Sequence, residues 1–225
     1  IIKRAKENKK TIVLPETSDK RTLKAAEIIL EQEIADLVLI GNKDQILNQG
    51  FKLQKAKVME QTDNDFTQDL INKLYELRKN KNMTLEKARD LLLNDPLYFG
   101  VMLVKENYAE GMVAGAINST ANVLRPSLQI LKTSKSSKLV SAVFVMITQN
   151  KNLGHDGIFV FGDCAINQNP NPEELAEIAK NSAMAFRNLI GTEPIVAMLS
   201  HSTKGSAKHT DIDKVRQATE IIKNS

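Results

Sequence analysis

The 225-residue chain is long enough for one large domain or two smaller ones, because single hydrophobic cores divide beyond about 250–300 residues. Hydrophobic residues make up 42% of the chain and charged residues 26%, which is ordinary for a globular protein and excludes a wholly disordered or fibrous one. The net charge of +4 is spread along the sequence and aromatic residues are only 4%, so we expect no nucleic-acid partner.

The apolar runs are far shorter than the roughly 20 residues that cross a bilayer, and no charged-then-apolar leader pattern is present. We therefore expect no membrane partner. Cys164 is the single cysteine and cannot form an internal disulfide, which fits a reducing compartment. The sequence predicts a cytoplasmic protein.

In the first half of the chain, short β-branched segments alternate with amphipathic ones. Strands are predicted at 11–14, 36–40 and 57–60, and helices at 23–30, 44–48, 66–79 and 84–93. Pro96 marks a boundary after the last of these helices, because proline cannot donate a hydrogen bond in a helix interior.

The second half continues the alternation. Strands are predicted at 111–116, 139–148, 157–161 and 194–199, and helices at 120–132, 172–189 and 211–223. Alternating strands and helices predict an α/β protein with a mainly parallel sheet flanked by helices. The polar stretch 133–138 divides it into an N-terminal α/β lobe, residues 1–137, and a second α/β lobe, residues 138–225.

The first candidate site is the loop and helix start that follow the strand predicted at 111–116. A helix that opens near Ser119 or Thr120 directs unpaired amide groups toward a bound anion, and Arg125 offers a planar fork suited to phosphate. The alternative is that Ser119 or Thr120 is a plain N-cap and Arg125 a surface charge.

The second candidate site is the polar loop after the strand predicted at 194–199, and it contains Ser202, Thr203, Lys204, Gly205 and Ser206. Gly205 allows the backbone to close around an anion and Lys204 supplies positive charge. The spacing lacks the glycines of a P-loop, which excludes a nucleoside triphosphatase. A plain polar loop remains the alternative.

The third segment contains Cys164 next to Asp163. A catalytic thiolate needs an adjacent base or a positive field, and the sequence places neither there, so an inert cysteine is the alternative. The three histidines do not form a metal-ligand pattern with Cys164, and we expect no metal site.

The same three segments, 111–133, 161–167 and 197–207, resemble consecutive blocks of the phosphate acetyl/butyryltransferase family, and within it the phosphate acetyltransferases. Their cores read Gly-Ala-Ile-Asn-Ser-Thr-Ala-Asn-Val-Leu-Arg-Pro, Phe-Gly-Asp-Cys-Ala-Ile-Asn and Met-Leu-Ser-His-Ser-Thr-Lys-Gly-Ser-Ala. The upstream segments 13–16, 19–21 and 95–100 match in the same order, so the resemblance covers the whole chain.

The resemblance implies two α/β lobes with the active site in the cleft between them, usually in a homodimer. It implies reversible acetyl transfer between coenzyme A and inorganic phosphate by direct thiolate attack on acetyl phosphate, with coenzyme A as a substrate and no cofactor. Ser119, Thr120 and Arg125 would face the acyl phosphate, and residues 202–206 would line the same cleft. Arg89 matches an arginine that contacts coenzyme A, and Cys164 would lie near the site without being the nucleophile.

Departures from the family pattern leave two alternatives open. Asn118, Asn122 and His201 replace residues that are common in relatives, so a phosphate butyryltransferase remains possible. The family's chain also continues past Ser225 through an Asn-Asp-Leu-Ser-Arg-Gly block, and the resemblance implies that its arginine binds phosphate and that an aspartate following it is the base for the thiol. We therefore expect the second lobe to be incomplete and residues 1–225 alone to be inactive, and the competing hypothesis is a non-catalytic ligand-binding protein.

Overall fold

The computed structural model describes residues 1–134, 137–203 and 205–224. The chain divides into two compact units, Ile1–Lys132 and Thr133–Ser225. The sequence predicts this division five residues later, after residue 137, and that boundary stays a prediction.

The first unit contains a four-stranded sheet and seven α-helices among its described residues. The strands are Thr11–Leu14 (β1), Asp36–Ile40 (β2), Lys57–Met59 (β3) and Gly111–Met112 (β4). The helices are Ile2–Glu7 (α1), Lys20–Glu31 (α2), Lys43–Leu47 (α3), Asp65–Arg78 (α4), Leu85–Asn94 (α5), Pro96–Lys105 (α6) and Thr120–Ile130 (α7), with a short 3-10 helix at Lys79–Lys81.

The sheet of the first unit is parallel throughout, in the order β3-β2-β1-β4. Successive strand residues point to opposite faces, so Val13 packs among side chains of α4 to α7 while Leu14 packs against α2. In β2, Val38 likewise packs on the same face as Val13, and Leu39 packs on the same face as Leu14. Both faces are therefore covered by helices, which confirms the predicted α/β class.

Polar caps explain where the helices of the first unit begin. Asp19 accepts from the N–H of Arg21 at the start of α2, and Thr84 accepts from the N–H of Lys87 at the start of α5. Pro96 ends α5 as the sequence predicts, but it also opens α6, which the strand-and-helix pattern missed. Proline is favoured at the first helical position because that position needs no N–H donor, and Asp95 caps the helix.

The second unit consists of a two-stranded sheet and two long helices among its described residues. Its elements are Val143–Ile147 (β5), Ile158–Gly162 (β6), Pro172–Ile190 (α8) and Thr210–Lys223 (α9). β5 and β6 pair antiparallel, which corrects the expectation of a mainly parallel sheet in this lobe. The connection, residues 148–157, is shorter than the dozen or more residues that a parallel crossover needs.

The strand predicted at 194–199 is not formed. A strand requires a neighbour for its backbone hydrogen bonds, and among the described residues this segment pairs with none, while Ile195 is fully exposed. The segment instead borders an apolar cavity of about 580 Å³ whose wall includes Phe159, Ile178 and Phe186. The prediction of a strand at 194–199 is therefore wrong: its β-branched composition favours a strand, but the described residues offer it no pairing partner.

The core of the first unit can be tested at Phe99 of α6, which is fully buried in the cluster formed by β1, β2 and helices α4 to α7. Phe99→Ala leaves a cavity and should lower the free energy of unfolding by about 3–5 kcal/mol. All three tyrosines, Tyr75, Tyr98 and Tyr108, belong to the first unit, so urea unfolding followed by tyrosine fluorescence reports on this unit. Leu85→Ala, at a half-exposed leucine of α5, is the control and should change stability by no more than about 0.5 kcal/mol. Equal losses in the two variants would contradict the assigned core.

Candidate functional site

The candidate site of the first unit lies at the carboxyl ends of β1 and β4. In the order β3-β2-β1-β4, the chain places β2 and then β3 on one side of β1, and afterwards places β4 on the other side of β1. The gap between β1 and β4 is therefore the topological switch point, where open α/β sheets bind ligands. Two loops meet there, one starting at Pro15 after β1 and one covering residues 113–118 after β4.

Glu16 joins these two loops. One carboxylate oxygen, Oε2, accepts from the backbone N–H groups of Gly115 and Ala116, both at 2.7 Å. The other, Oε1, accepts from the N–H groups of Ile117 at 3.2 Å and Asn118 at 3.0 Å, and from Asn118 Nδ2 at 2.9 Å. Glu16 is only 3% exposed, so these five donors replace the water that a carboxylate normally binds.

The same contacts control the ionisation of Glu16. Burial by itself would raise the pKa of the carboxyl group, but hydrogen bonds from the Asn118 side chain and from the backbone N–H groups outweigh burial and lower the pKa below its ordinary value. The carboxylate is charged at neutral pH with its lone pairs occupied, so it is unsuited to accept a proton from a substrate.

The loop after β4 is also held through a carbonyl group. Arg21 Nη2 donates to the Ala116 oxygen at 2.8 Å, and Asp19 fixes the guanidinium by accepting from its Nε and Nη2. Gly115 adopts φ +115°, a region that side chains with a Cβ rarely enter, although open space surrounds it. Backbone conformation, and not crowding, therefore requires glycine at this turn.

The loop leads directly into α7, where the first candidate residues lie. Ser119 is the N-cap, and its Oγ accepts from the N–H of Asn122 at 3.3 Å. Ser119, Thr120 and Arg125 are exposed together on the first two turns of the helix. Arg125 forms no hydrogen bond or ion pair with any described residue, so its guanidinium is available to a ligand.

Arg89, the residue matched to coenzyme A binding, lies on α5 in the first unit. Its guanidinium is paired with Asp63, which also accepts from Gln68. Both partners are partly exposed, so this pair contributes little stability.

In the second unit, Asp163 follows β6 much as Glu16 follows β1. It accepts from the Asn167 N–H and Nδ2 at 2.6 Å each, from the Ala142 N–H at 3.2 Å and from the Ala165 N–H at 3.4 Å. Burial opposes ionisation, but these hydrogen bonds lower the pKa of Asp163 overall. The neighbouring Cys164 thiol donates to the Phe161 carbonyl at 2.8 Å. Asp163 therefore organises its loop, and nothing in this geometry activates Cys164 as a nucleophile.

The second candidate loop is stabilised by its own hydroxyl groups. Ser206 Oγ and Ser202 Oγ both donate to the Thr203 carbonyl, at 2.8 and 3.0 Å, and the two hydroxyls are 3.4 Å apart. Gly205 adopts φ +83°, as a tight turn in this loop requires. Lys204 lies outside the described residues. These hydrogen bonds connect Ser202, Thr203 and Ser206 to one another.

Residues 1–134, 137–203 and 205–224 contain no group of three or more His, Cys, Asp or Glu side chains placed to hold a metal ion. The helices within the same ranges include none that is long and apolar enough to cross a membrane.

Comparison with known proteins identifies the family. The family described as phosphate acetyl/butaryl transferase matches residues 1–225, and this chain belongs to it. The phosphate acetyltransferase of Thermoanaerobacterium thermosaccharolyticum is 53% identical over 226 residues, which cover 100% of this chain and 69% of that protein. The phosphate acetyltransferase of Acetivibrio thermocellus is 50% identical over 225 residues, covering 99% and 68%.

A solved structure agrees with this assignment. The crystal structure of a phosphotransacetylase from Streptococcus pyogenes matches with a TM-score of 0.87 and 38% sequence identity, over 99% of this chain and 68% of that one. This chain thus spans about two thirds of the length of these relatives.

Sequence reasoning missed Glu16 as a site residue, although the segment 13–16 contributes to the family resemblance. A usable signal was present: an acidic residue follows a buried strand, and a glycine-containing loop follows another strand. What the sequence does not show is that β1 and β4 are neighbours, which brings the two loops together.

The buried carboxylate makes a prediction about acid stability. Because the pKa of Glu16 is lower in the folded state, its stabilising contribution is complete above the unfolded-state pKa and is lost as the pH falls through the folded-state pKa. The unfolding free energy of the first unit, measured by tyrosine fluorescence in urea, should therefore fall less steeply below about pH 4.5 in Glu16→Gln than in the wild type. Asp19, Glu27 and Asp63 also have lowered pKa values, so some acid sensitivity should persist. Identical slopes would show that Glu16 is not anchored as described.

Proposed function

We propose that this protein transfers the acetyl group reversibly between coenzyme A and inorganic phosphate, converting acetyl-CoA and phosphate into acetyl phosphate and coenzyme A. The observation that carries the proposal is the family match over residues 1–225, together with relatives named phosphate acetyltransferase that are at least 50% identical along essentially the whole chain. Members of this family are enzymes, and so is this protein.

The start of α7 supports the binding of a phosphate group. The N–H groups of Ser119, Thr120 and Ala121 have no acceptor among the described residues, and they form the positive end of the helix dipole. Side chains on a helix lean toward its N-terminus, which brings Arg125 on the second turn closer to this end. Backbone donors and a guanidinium fork together suit the leaving phosphate of acetyl phosphate.

The reaction requires a thiolate nucleophile. The sulfur of coenzyme A attacks the carbonyl carbon of acetyl phosphate, a carbon–sulfur bond forms, and the bond to the phosphate oxygen breaks so that phosphate leaves with the electron pair. Thiols of this type have a pKa of about 8.5, so a base must take the proton at neutral pH. Glu16 and Asp163 are saturated with hydrogen bonds and do not fit that role. The family resemblance assigns the base to a segment beyond the 225 residues, and that assignment is part of the proposal.

The remaining assignments follow from the family resemblance and are proposals as well. Arg89 contacts coenzyme A, residues 202–206 contribute to substrate binding, and Cys164 does not react. Coenzyme A acts as a substrate, no cofactor takes part, and the protein works as a homodimer in the cytoplasm.

The direct test is an assay of acetyl-CoA formation from acetyl phosphate and coenzyme A. It is run on residues 1–225 and on the intact product of the gene, with butyryl phosphate as the second substrate. We expect turnover by the intact product with a preference for acetyl phosphate, and a rate for residues 1–225 that is lower by at least about 100-fold, as for loss of a general base. Comparable rates would place the base within residues 1–225. A preference for butyryl phosphate would assign the protein to the butyryl branch, and absence of turnover in both proteins would favour a non-catalytic ligand-binding role.

The role of Arg125 is tested in the intact product with Arg125→Lys, which keeps the charge but loses the two-pronged contact. The interaction with acetyl phosphate should weaken by about 1.5–3 kcal/mol, the range for a hydrogen bond to a charged group. The measurement is kcat/KM for acetyl phosphate. Arg216→Lys, at an exposed arginine of α9 paired with Asp213, is the matched control and should behave like the wild type. Wild-type kinetics in Arg125→Lys would show that this arginine is a surface charge.

A further inference from the structure

Four successive backbone N–H groups, those of Gly115, Ala116, Ile117 and Asn118, point to one place at the end of β4. Such a row of amide groups forms a concavity that binds anions. Here the concavity is filled from within the protein by the Glu16 carboxylate, so a substrate anion has no access to these four donors.

The donors that remain open lie one residue further on. The N–H groups of Ser119, Thr120 and Ala121 follow directly after the four that Glu16 holds, and they have no acceptor within the described ranges. The position of these open donors depends on the conformation of residues 115–118. That conformation is set by Glu16 on the donor side and by Arg21, through the Ala116 carbonyl, on the acceptor side.

We propose that Glu16 is a positioning residue for acyl transfer: it occupies the amide concavity after β4, holds the start of α7 in place, and so confines the acyl phosphate to the open donors at Ser119–Ala121. This inference rests on the proposed function. Glu16 acts through the loop and does not itself touch the substrate.

The charge of Glu16 is essential to this role. A glutamine has almost the same shape, but its amide nitrogen can only donate hydrogen bonds. In Glu16→Gln this nitrogen would therefore stand opposite backbone N–H groups, which are also donors. The loop must then move or leave buried N–H groups unpaired. In either case the open donors of α7 shift relative to the rest of the site.

Glu27 provides a matched control in the same unit. It is also buried, at 8% exposure, and accepts from the N–H of Lys52 at 2.9 Å and from Lys24 at 2.6 Å. Glu27→Gln therefore removes a buried, hydrogen-bonded carboxylate from α2 without touching the loop after β4. Any loss that comes only from weakening the fold should be shared by both variants.

The kinetic test compares Glu16→Gln and Glu27→Gln in the intact gene product. Glu16→Gln should lower kcat/KM for acetyl phosphate by about 10- to 100-fold, the cost of misplacing a substrate by roughly 1 Å, with a raised KM for acetyl phosphate and a much smaller change in KM for coenzyme A. Glu27→Gln should retain wild-type kinetics. Equal kinetic effects of the two substitutions would overturn the inference.

A second measurement does not depend on activity. In ¹H–¹⁵N spectra of the intact wild-type protein, inorganic phosphate should shift the amide signals of residues 119–121 and leave those of 115–118 nearly unchanged. The signals of 115–118 should instead titrate together as Glu16 is protonated, and the phosphate-induced shifts at 119–121 should weaken over the same pH range. Phosphate-induced shifts that stay constant through that titration would overturn the inference, even if Glu16→Gln does not fold. If the wild type lacks transferase activity, the proposed function fails, whereas these spectra still decide the role of Glu16.

Discussion

The carboxylate of Glu16 connects the end of β1 to the loop after β4 through five hydrogen bonds, and the candidate site depends on that connection. A short parallel strand such as β4, with only two residues in the ladder, cannot by itself define the path of the chain that leaves it. The buried charge does so because each of its lone pairs must be satisfied by the protein, which leaves the loop one low-energy conformation. The N-terminus of α7, with its unpaired amide groups, is then set by the same contact.

Both units use an acidic residue after a strand in this way. Asp163 after β6 accepts hydrogen bonds from the N–H groups of Ala142, Ala165 and Asn167, as Glu16 accepts them from those of residues 115–118. A carboxylate that accepts several hydrogen bonds from backbone N–H groups has a lowered pKa, so it is a poor acceptor for a proton from a substrate. Acidic residues near strand ends are often considered as bases, but Glu16 and Asp163 are each occupied by hydrogen bonds within their own unit.

Much of the fold could be predicted from local pattern. The buried strands β1 and β2 and the amphipathic helices α2, α4, α8 and α9 lie within one or a few residues of the predicted positions, because their periodicity matches the faces that they bury. The predicted secondary structure was wrong where contacts with another chain segment determine whether a strand or a helix forms. The segment 194–199 has the composition of a strand but no partner among the described residues, and α6 was missed because its residues are apolar on nearly every side, which removes the helical period.

The sequence by itself determined the family, the α/β class and the polar residues at the start of α7, because blocks of identical residues and hydrophobic periodicity are properties of consecutive positions. Only the tertiary structure decided that Glu16 belongs with residues 115–118, about 100 positions later in the chain. It also decided that Asp163 accepts from the backbone N–H of Asn167 and that Cys164 donates to the backbone carbonyl of Phe161. For Glu16 the physical reason is that hydrogen bonds from a distant chain segment make the charged group a structural contact, and no local pattern records which segments become neighbours. For Asp163 and Cys164 the reason is the folded conformation of their own loop, which brings donors and acceptors three or four residues away into hydrogen-bond distance.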